Sequence, residues 1–575
     1  MSGSGRRVLV DPQAIEVEQR RLGALPVVNA VLDRLGVDGL LAAYLPEPDS
    51  RVGLSSARAI GVLIRNLAVG RQPLYGLAAW AARHEAGLVG FSPGEEALLN
   101  DDRVGRALDE LFVADRASLM TALGLAAIRA YRIDCSEIHN DSTSLALYGA
   151  YAGATGAKRG GVRPPMPSRG HSKDHRPDLK QLVWELTVSA DGTVPLTYRL
   201  CDGNTEDSTT HVGTWNSLVL LFGSADFIYV ADCKLATRDN LNHIAGNHGR
   251  LLSVLPRSRK EDERGRAWMA AGGIDWAEIA RRPGRRQGDP DEVYWAVEAP
   301  ICSEEGLRIC WIRSSQKRSI DAAARTDRIE RAGGGLDELK ARLAAPRCRL
   351  KTRVAIEAAA AAIVADTGAG RWARFDVAEH VEVTHRQEQR GRPGPNSRYQ
   401  RIETRRFSLS WSVDAAAVAY DAASDGCFPF ITTEKETSPA ELLRIYKAQP
   451  RLERRHHIFK GVIAASPLTL KTDRRIDAFG FCLYGALLVH ALVERELRRA
   501  MTTKKIAALP LYPEDRDCKT PTAARVFELL DPLTRTIVRH HDRLLATTDP
   551  ALNPLQERVL TLLGIPLNAY RTRQP

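Results

Sequence analysis

The order of strands and helices between residues 131 and 260 constrains the fold of this 575-residue chain more than any other feature. Two strand-like segments, LVWELTVSA and PLTYRLCDG, flank Asp191-Gly192, a strong signal for a hairpin turn. The segment SEIHNDSTSLALYG before them predicts a further strand. After them, HVGTWNSLVLLFG and TRDNLNHIAG predict helices, and each is followed by a short apolar strand, DFIYVADC or RLLSVLP. The sequence therefore predicts three antiparallel strands followed by helix–strand–helix–strand.

This order of elements indicates an α/β, ribonuclease-H-like catalytic core. The order breaks down after residue 260, and the strand CFPFITT resumes it, so we expect a mixed α/β insertion with its own β-strands. Apolar residues at three- and four-residue steps predict an all-helical N-terminal domain. This domain could bind DNA, dimerise or only support the neighbouring domain. The C-terminal tail is also predicted to be helical. The predicted domains are residues 1–128 (helical), 129–260 (core, first part), 261–425 (insertion), 426–503 (core, second part) and 504–575 (tail).

Composition favours a polyanionic partner and a reducing compartment. The chain has 81 Lys and Arg against 70 Asp and Glu, a net charge of +11. Its nine cysteines form no CxxC pair, as expected of reduced thiols in a cytoplasmic protein. The longest apolar stretch, residues 478–493, is too short to span a bilayer and is expected to be a buried core helix. We therefore expect no membrane association.

Two carboxylates stand out by their positions. Asp141 lies in the middle of a predicted strand, where a β-branched or aromatic residue is favoured. Asp232 ends the apolar run FIYVAD, at the edge where open α/β sheets bind their ligands. In the predicted fold these strands are neighbours, so the two carboxylates should converge. Two buried anions repel each other unless a divalent cation lies between them, and oxygen ligands suit Mg²⁺ or Mn²⁺.

A third acid is expected on a helix near this edge. Ser438 and Glu441 form a capping box with Pro439 at the first helical position. Farther along, four residues separated by three, four and seven positions share one face of a continuous helix: Tyr446, Gln449, Glu453 and Lys460. Pro450 kinks or restarts this helix, which makes the alignment approximate. The spacing alone also fits an exposed ion pair between Glu453 and Arg454 or Arg455.

Positive charge is concentrated in three segments. Residues 444–475 carry nine basic and two acidic residues, 158–180 carry seven and two, and 386–406 also carry seven and two. Clusters of one sign beside the proposed site favour contact with phosphate over a merely solvated surface. His171 and His175 are spaced as zinc ligands can be, but no Cys or Glu partner has ligand spacing. We expect this segment to be a loop that contacts phosphate or positions a strand.

These blocks resemble the bacterial insertion-sequence DDE transposases, specifically the IS-four superfamily and its IS-sixteen-thirty-four-like branch. GHSKDHRPDLKQLVWELTVSADGTVPLTYRLCDGNTED resembles the signature of this branch, and VADCKLATRDNL resembles the block around its second acid. The third block of the superfamily has Tyr, Arg, Glu and Lys at three-, four- and seven-residue steps. Tyr446, Glu453 and Lys460 match it, but Gln449 stands where Arg is usual, and Arg451 or Lys447 is the alternative for that phosphate contact.

The resemblance implies that Asp141, Asp232 and Glu453 are the catalytic residues and hold two Mg²⁺ ions, with Mn²⁺ as an alternative. It implies cleavage and joining of double-stranded DNA at the terminal inverted repeats of the element, by a homodimer that holds two ends. The roughly 220 residues between Asp232 and Glu453 would contain the β-rich insertion domain of the superfamily. The expected DNA-binding residues are Tyr446, Lys460, Arg451, Lys447, Arg454, Lys173 and Arg176.

Two other functions remain open from the sequence. One is a structure-selective nuclease of the same fold, which would cleave without joining strands. The other is a catalytically silent descendant that binds DNA as a repressor or architectural protein. Inverted repeats beside the coding region would favour a transposase over both.

Overall fold

A computed structural model divides the chain into two compact units. The first unit contains Met1–Ser253 and Arg444–Pro575, and the second contains Val254–Leu443. The structure describes residues 15–47, 53–92, 94–284, 288–345, 348–463, 470–541 and 543–572.

The N-terminal part of the first unit is helical after one strand, β1 (Ile15–Arg21). The seven helices that follow in the described residues are α1 (Leu25–Leu35), α2 (Val37–Tyr44), α3 (Ser56–Val69), α4 (Leu77–Ala82), α5 (Ala86–Val89), α6 (Asp101–Val113) and α7 (Arg116–Tyr131). The side chains of Ser55, Asn100 and Asp115 cap α3, α6 and α7 by accepting a backbone N–H. Such caps satisfy donors that the first turn of a helix leaves unpaired.

A mixed sheet follows these helices. Its elements are β2 (Glu137–Leu147), β3 (Lys180–Ser189), β4 (Val194–Cys201), α8 (His211–Phe222), β5 (Ile228–Val230), α9 (Arg238–Gly246) and β6 (Arg250–Val254). β2, β3 and β4 are antiparallel neighbours, whereas β5 is parallel to β2 and β6 is parallel to β5. The five strands therefore lie in the order β4-β3-β2-β5-β6. This mixed α/β arrangement has the element order that the sequence predicts for a ribonuclease-H-like core.

The predicted hairpin turn joins β3 to β4. Gly192 has a φ of 77°, in the left-handed region that glycine adopts without strain. A Cβ at this position would meet the side chain of Arg495 at 2.6 Å. Arg495 in turn forms an ion pair with Asp191, at 2.5 Å. The turn is thus fixed both by its own backbone and by a residue from the C-terminal part of the chain.

The second unit combines sheet, helices and a long hairpin. Its elements are α10 (Lys260–Ala271), β7 (Ala277–Arg282), β8 (Glu292–Glu298), β9 (Arg308–Ser314), α11 (Ser315–Ala344), α12 (Arg353–Thr367), β10 (Ala373–Gln387), β11 (Tyr399–Val413), α13 (Ala415–Ala423) and β12 (Cys427–Thr432). β7, β8, β9 and β12 pair antiparallel in that order. This unit extends beyond the predicted insertion, residues 261–425, at both ends.

Among the described residues, β10 and β11 pair with each other alone and form the ribbon, residues 373–413. Val377 and Leu409 near its base are buried against α11 and α12. Beyond them the strands are mostly exposed on both faces. Fifteen paired residues at about 3.3 Å each give a length of about 50 Å.

The rest of the chain contains α14 (Pro439–Tyr446), α15 (Gln449–His457), a π-helical turn (Ile458–Val462), α16 (Asp473–Thr503), α17 (Ala523–Leu530), β13 (Thr534–His540), β14 (Arg543–Thr548) and α18 (Pro554–Leu562). β1 pairs antiparallel with β13, and β13 pairs with β14. The expectations of an all-helical N-terminal domain and a helical tail are therefore wrong at these strands. Their pairing joins segments more than 500 residues apart, which a local sequence pattern does not reveal.

Helix α16 contains the longest apolar stretch of the sequence. By length and composition this helix could cross a membrane, but 94% of its apolar 18-residue segment is buried inside the protein. α6 and α7 would meet the same criterion only as a pair, and they are bent by 91°. Burial of α16 agrees with its predicted role as a core helix.

Candidate active site

Asp141 and Asp232 lie at the same level of two neighbouring strands. The parallel register of β2 and β5 pairs His139 with Val230. Asp141 follows His139 by two residues, and Asp232 follows Val230 by two. Because neighbouring strands are about 4.8 Å apart, this register brings the two acids to the same point, where β5 ends. The sequence prediction that their strands are neighbours is confirmed.

Both carboxylates are partly buried. Burial raises the pKa of Asp141 to about 6; the Lys173 ammonium opposes this shift, and the negative charge of Asp232 adds to it. Burial also raises the pKa of Asp232, against a hydrogen bond from the backbone N–H of Lys234. Each acid is therefore harder to ionise than in water, which is the behaviour of anions that lack sufficient neutralising charge.

Lys173 supplies positive charge to this cluster. Its ammonium lies 3.7 Å from Asp141 Oδ1 and 3.3 Å from Asp207 Oδ2. It donates hydrogen bonds to the backbone oxygen of Ser142, at 2.7 Å, and to the hydroxyl of Ser142, at 2.9 Å. The same hydroxyl donates to Asp207 Oδ1 at 2.6 Å. Asp207 is thus a further carboxylate of the site, bound to β2 through Ser142 and Lys173.

His456 approaches Asp141 from helix α15. Its Nε2 lies 3.6 Å from Asp141 Oδ2, and the residue is only 6% exposed. Neither ring nitrogen has a hydrogen-bond partner among the described residues. Burial lowers the pKa of His456 to about 3, and the nearby ammonium groups of Lys173 and Lys460 lower it further. The imidazole is therefore neutral at pH 7 and adds no positive charge to the cluster.

The loop that carries Lys173 is attached at two points. The backbone N–H of Lys173 donates to the hydroxyl of Ser144 on β2, at 3.0 Å. The next residue, Asp174, forms an ion pair of 2.5 Å with Lys460 in the π-helical turn. The loop is therefore held between the strand of Asp141 and the helical segment that follows Glu453.

Ser438 caps the start of α14, since its hydroxyl accepts the backbone N–H of Glu441 at 3.2 Å, which is one of the two hydrogen bonds of the predicted capping box. The helix ends at Tyr446, and α15 begins at Gln449 with Pro450 in its first turn. Pro450 thus starts a new helix instead of kinking one. The four residues that the sequence places on one helical face are therefore divided among α14, α15 and the π-helical turn.

Glu453 is exposed on α15. The sequence left open an ion pair with Arg454 or Arg455, but neither pair forms among the described residues. Arg455 is instead buried and lies 3.1 Å from Glu494 Oε2 of α16. Arg455 also donates to the backbone oxygen of Gly192 at 3.2 Å. The helix is thus anchored by Arg455, and the Glu453 carboxylate is left without a basic partner in the described part of the chain.

Tyr446 lies near all three predicted catalytic acids. Burial raises the pKa of its hydroxyl, and the negative charges of Asp232, Asp141 and Glu453 raise it further. Glu453 contributes to this shift but not to the principal shifts of the two aspartates. The third acid therefore belongs to the same electrostatic neighbourhood as the two aspartates.

The carboxylate oxygens of the site are suitable ligands for a divalent cation. Only some of the ligands that such an ion needs lie close together. Asp141 and Asp232 present carboxylate oxygens, the ligands that Mg²⁺ and Mn²⁺ prefer. Their burial-raised pKa values show that more neutralising charge would stabilise their ionised forms. Among the described residues, however, no three His, Cys, Asp or Glu side chains are close enough to hold one metal ion.

The predicted DNA-binding residues divide into three groups. Lys173 and Lys460 face carboxylates, and Arg176 is paired with Asp178 at 2.8 Å. Arg451 and Arg454 are exposed and form no ion pair with any described residue. Lys447 and Tyr446 are partly buried. Phosphate contact by these seven residues stays a prediction.

Two residues of the site were missed by the sequence analysis. Asp207 ends the segment GNTED, which carries part of the family resemblance but gave no separate signal for an acid of the site. His456 follows Glu453 by three residues, which was a usable signal because positions three apart share a helix face. The adjacent His457 obscured it, since the sequence did not show which of the two is buried.

One family model matches part of the chain. A family model described as a domain of unknown function, DUF4277, matches residues 17–125. No curated protein matches the sequence. Among solved structures, the chain is similar to a piggyBac transposase synaptic complex with hairpin DNA, determined by cryo-EM. The two are 7% identical, with a TM-score of 0.35, over 88% of this chain and 78% of that chain. At these values the similarity assigns neither an activity nor a site.

Proposed function

We propose that this protein is a DNA transposase of the IS-four superfamily, within its IS-sixteen-thirty-four-like branch. It would bind the terminal inverted repeats of its own element and perform Mg²⁺-dependent strand cleavage and strand transfer. The observation that carries the proposal is the register of β2 and β5, which brings Asp141 and Asp232 together where β5 ends. Glu453, on a helix of the same compact unit, supplies the third acid.

In this proposal Asp141, Asp232 and Glu453 hold two Mg²⁺ ions, with Mn²⁺ as a substitute. When bound, the ions supply activation of a water or a DNA 3′-hydroxyl and stabilisation of the leaving oxygen, in an in-line displacement at phosphorus. The chain fixes its two aspartates through the sheet register. It fixes the helix of Glu453 through the buried Arg455–Glu494 pair. Glu453 itself has no basic partner among the described residues, so its carboxylate is available as a ligand.

DNA would be bound by exposed basic side chains of both units. Arg451 and Arg454 lie on the helix of Glu453, and both are exposed. In the second unit, the distal part of the ribbon carries Arg386, Arg390, Arg392 and Arg398, all exposed and without an ion pair to a described residue. A two-stranded β-ribbon fits the major groove of duplex DNA, and arginines pair with its phosphates.

Two transposon ends must be held together for joining, so the active form is expected to be a homodimer. Its place of action would be the cytoplasm, at the nucleoid. Incubation of the purified protein with DNA that carries the flanks of its own gene, in Mg²⁺, tests the proposal. Nicks at the element ends and joined products are expected. Nicks without joining would indicate a nuclease, and binding without nicks would indicate a silent DNA-binding protein.

A further inference from the structure

The ammonium of Lys173 occupies the position of a counter-ion in the carboxylate cluster. It lies within 3.7 Å of Asp141 and within 3.3 Å of Asp207, and two hydrogen bonds to Ser142 fix its position. His456, on the other side of Asp141, is buried and makes no hydrogen bond with a described residue. In the part of the chain that the structure describes, Lys173 is thus the charged basic group in contact with Asp141.

A lysine in this position and a divalent cation compete for the same oxygens. Two positive charges about 4 Å apart repel each other strongly wherever water is partly excluded. Asp207 offers Lys173 an alternative partner, since its carboxylate already lies 3.3 Å from the ammonium and accepts a hydrogen bond from the Ser142 hydroxyl. The ammonium can therefore leave Asp141 without losing all of its neutralising contacts.

We propose that Lys173 is a positioning residue that neutralises Asp141 while the site lacks a cation and moves from it towards Asp207 when one binds. The inference rests on the proposed function, because it assumes that Asp141 is a metal ligand. Lys173 then has a role other than phosphate contact, and Asp207 is the ion-pair partner of its ammonium once the cation is bound. We call this replacement of Lys173 by the cation the exchange. It limits the affinity of the site for the metal, and Lys173 keeps Asp141 in place before the metal binds.

Binding of Mn²⁺, followed by electron paramagnetic resonance of the free ion, tests the exchange without any activity measurement. Lys173→Met should bind Mn²⁺ about tenfold more tightly than the unmodified chain, because a repelling charge is removed. Lys173→Arg keeps the charge and should stay within about twofold. The control is Lys504→Met, which removes an exposed lysine that has no ion pair with a described residue. It should leave the affinity unchanged.

Amine labelling gives a second readout that a purely structural lysine would not change. Acetylation of Lys173, measured by mass spectrometry, should increase severalfold when Mn²⁺ is added, because the ammonium loses its contact with Asp141. Equal or weaker binding by Lys173→Met, or unchanged labelling at saturating Mn²⁺, would refute the exchange while the proposed function stands. If the unmodified chain binds no Mn²⁺ at all, the proposed function and the exchange both fail.

Discussion

The side-chain amide of Gln449 donates to the backbone oxygen of Asn140, at 2.9 Å. Its oxygen lies 2.8 Å from Nδ1 of His139. Gln449, at 7% exposure, thus connects the first residue of α15 to the strand residues just before Asp141. Gln449 therefore makes a buried contact between two elements of the site.

Replacing Gln449 should therefore destabilise the folded protein more than it weakens DNA binding. Gln449→Leu keeps the volume and leaves His139 Nδ1 and the Asn140 carbonyl without their partner. We expect the free energy of unfolding to fall by about 2 kcal/mol or more, measured with urea. Gln400→Leu, at an exposed position of the ribbon, should change it by less than about 0.5 kcal/mol. Equal stability of the two variants would contradict this assignment.

Removal of any predicted catalytic carboxylate should abolish cleavage. In Asp141→Asn, Asp232→Asn and Glu453→Gln the side-chain size is kept and one anionic ligand is lost. Nicking of end DNA should fall by about a thousandfold or more, the size expected for several kcal/mol of lost charge stabilisation. Binding to the ends, measured by gel shift, should be retained. Asp239→Asn, at an exposed acid of α9, is the matched control. Full cleavage by a site variant would show that the replaced residue is not a required metal ligand.

The basic residues on and after α15 should differ in their effect on DNA affinity. Arg454→Ala removes an exposed arginine that is free of ion pairs with described residues, so the slope of log affinity against log salt should decrease by about 1. Lys460→Ala should also weaken binding with a shallower salt dependence. The decrease should be smaller than for Arg454, because Lys460 is already neutralised by Asp174 at 2.5 Å. Fluorescence anisotropy at several salt concentrations measures both slopes. The reverse ranking would mean that the Asp174 pair opens on DNA.

The ribbon offers a test that leaves the carboxylate cluster untouched. Replacing Arg386, Arg390, Arg392 and Arg398 by Gln should lower the salt slope by up to about 4 and weaken DNA binding. The melting temperature should not change, because all four side chains are exposed. Arg405 and Arg406 pair with Glu379 and Glu382 on the opposite strand, so Gln at these two positions should cost less affinity per residue. An unchanged salt slope in the variant with all four replacements would show that these arginines of the ribbon do not contact DNA.

The buried Arg455–Glu494 pair should contribute strongly to stability. Glu494→Gln leaves the Arg455 guanidinium buried at 3% side-chain exposure without its anion. Breaking such a pair typically costs about 3 kcal/mol or more. Glu528→Gln removes the partner of Arg525 from an exposed pair and should cost less than about 1 kcal/mol. Similar urea midpoints for the two variants would show that the buried pair does not anchor α15.

The core strands and helices could be predicted because their signals are local. The hairpin at Asp191-Gly192 and the apolar run that ends at Asp232 are short patterns, and the structure has both. The pairing of β1 with β13 was not predictable in this way. Each strand is short, and its partner lies more than 500 residues away, so no periodicity in either segment identifies the other.

The site was predictable at the level of its acids and not at the level of its contacts. Asp141 and Asp232 are marked by unusual positions in strands. The partners of Lys173 depend on how a loop folds back on β2, and a charge count reads Lys173 and Lys460 as free cations. Gln449 likewise looked like a departure from a DNA-binding pattern, because the sequence does not show which polar side chains are buried.

The strand pairing of β1 with β13 also has a consequence for synthesis. A ribosome makes Asp141 and Asp232 long before it reaches Glu453, and it makes the partner of β1 later still. A nascent or prematurely terminated chain that stops before residue 534 therefore has β1 without its neighbour. Under the proposed function, a product that ends before residue 453 also lacks the third acid, so incomplete translation products would not cut the chromosome.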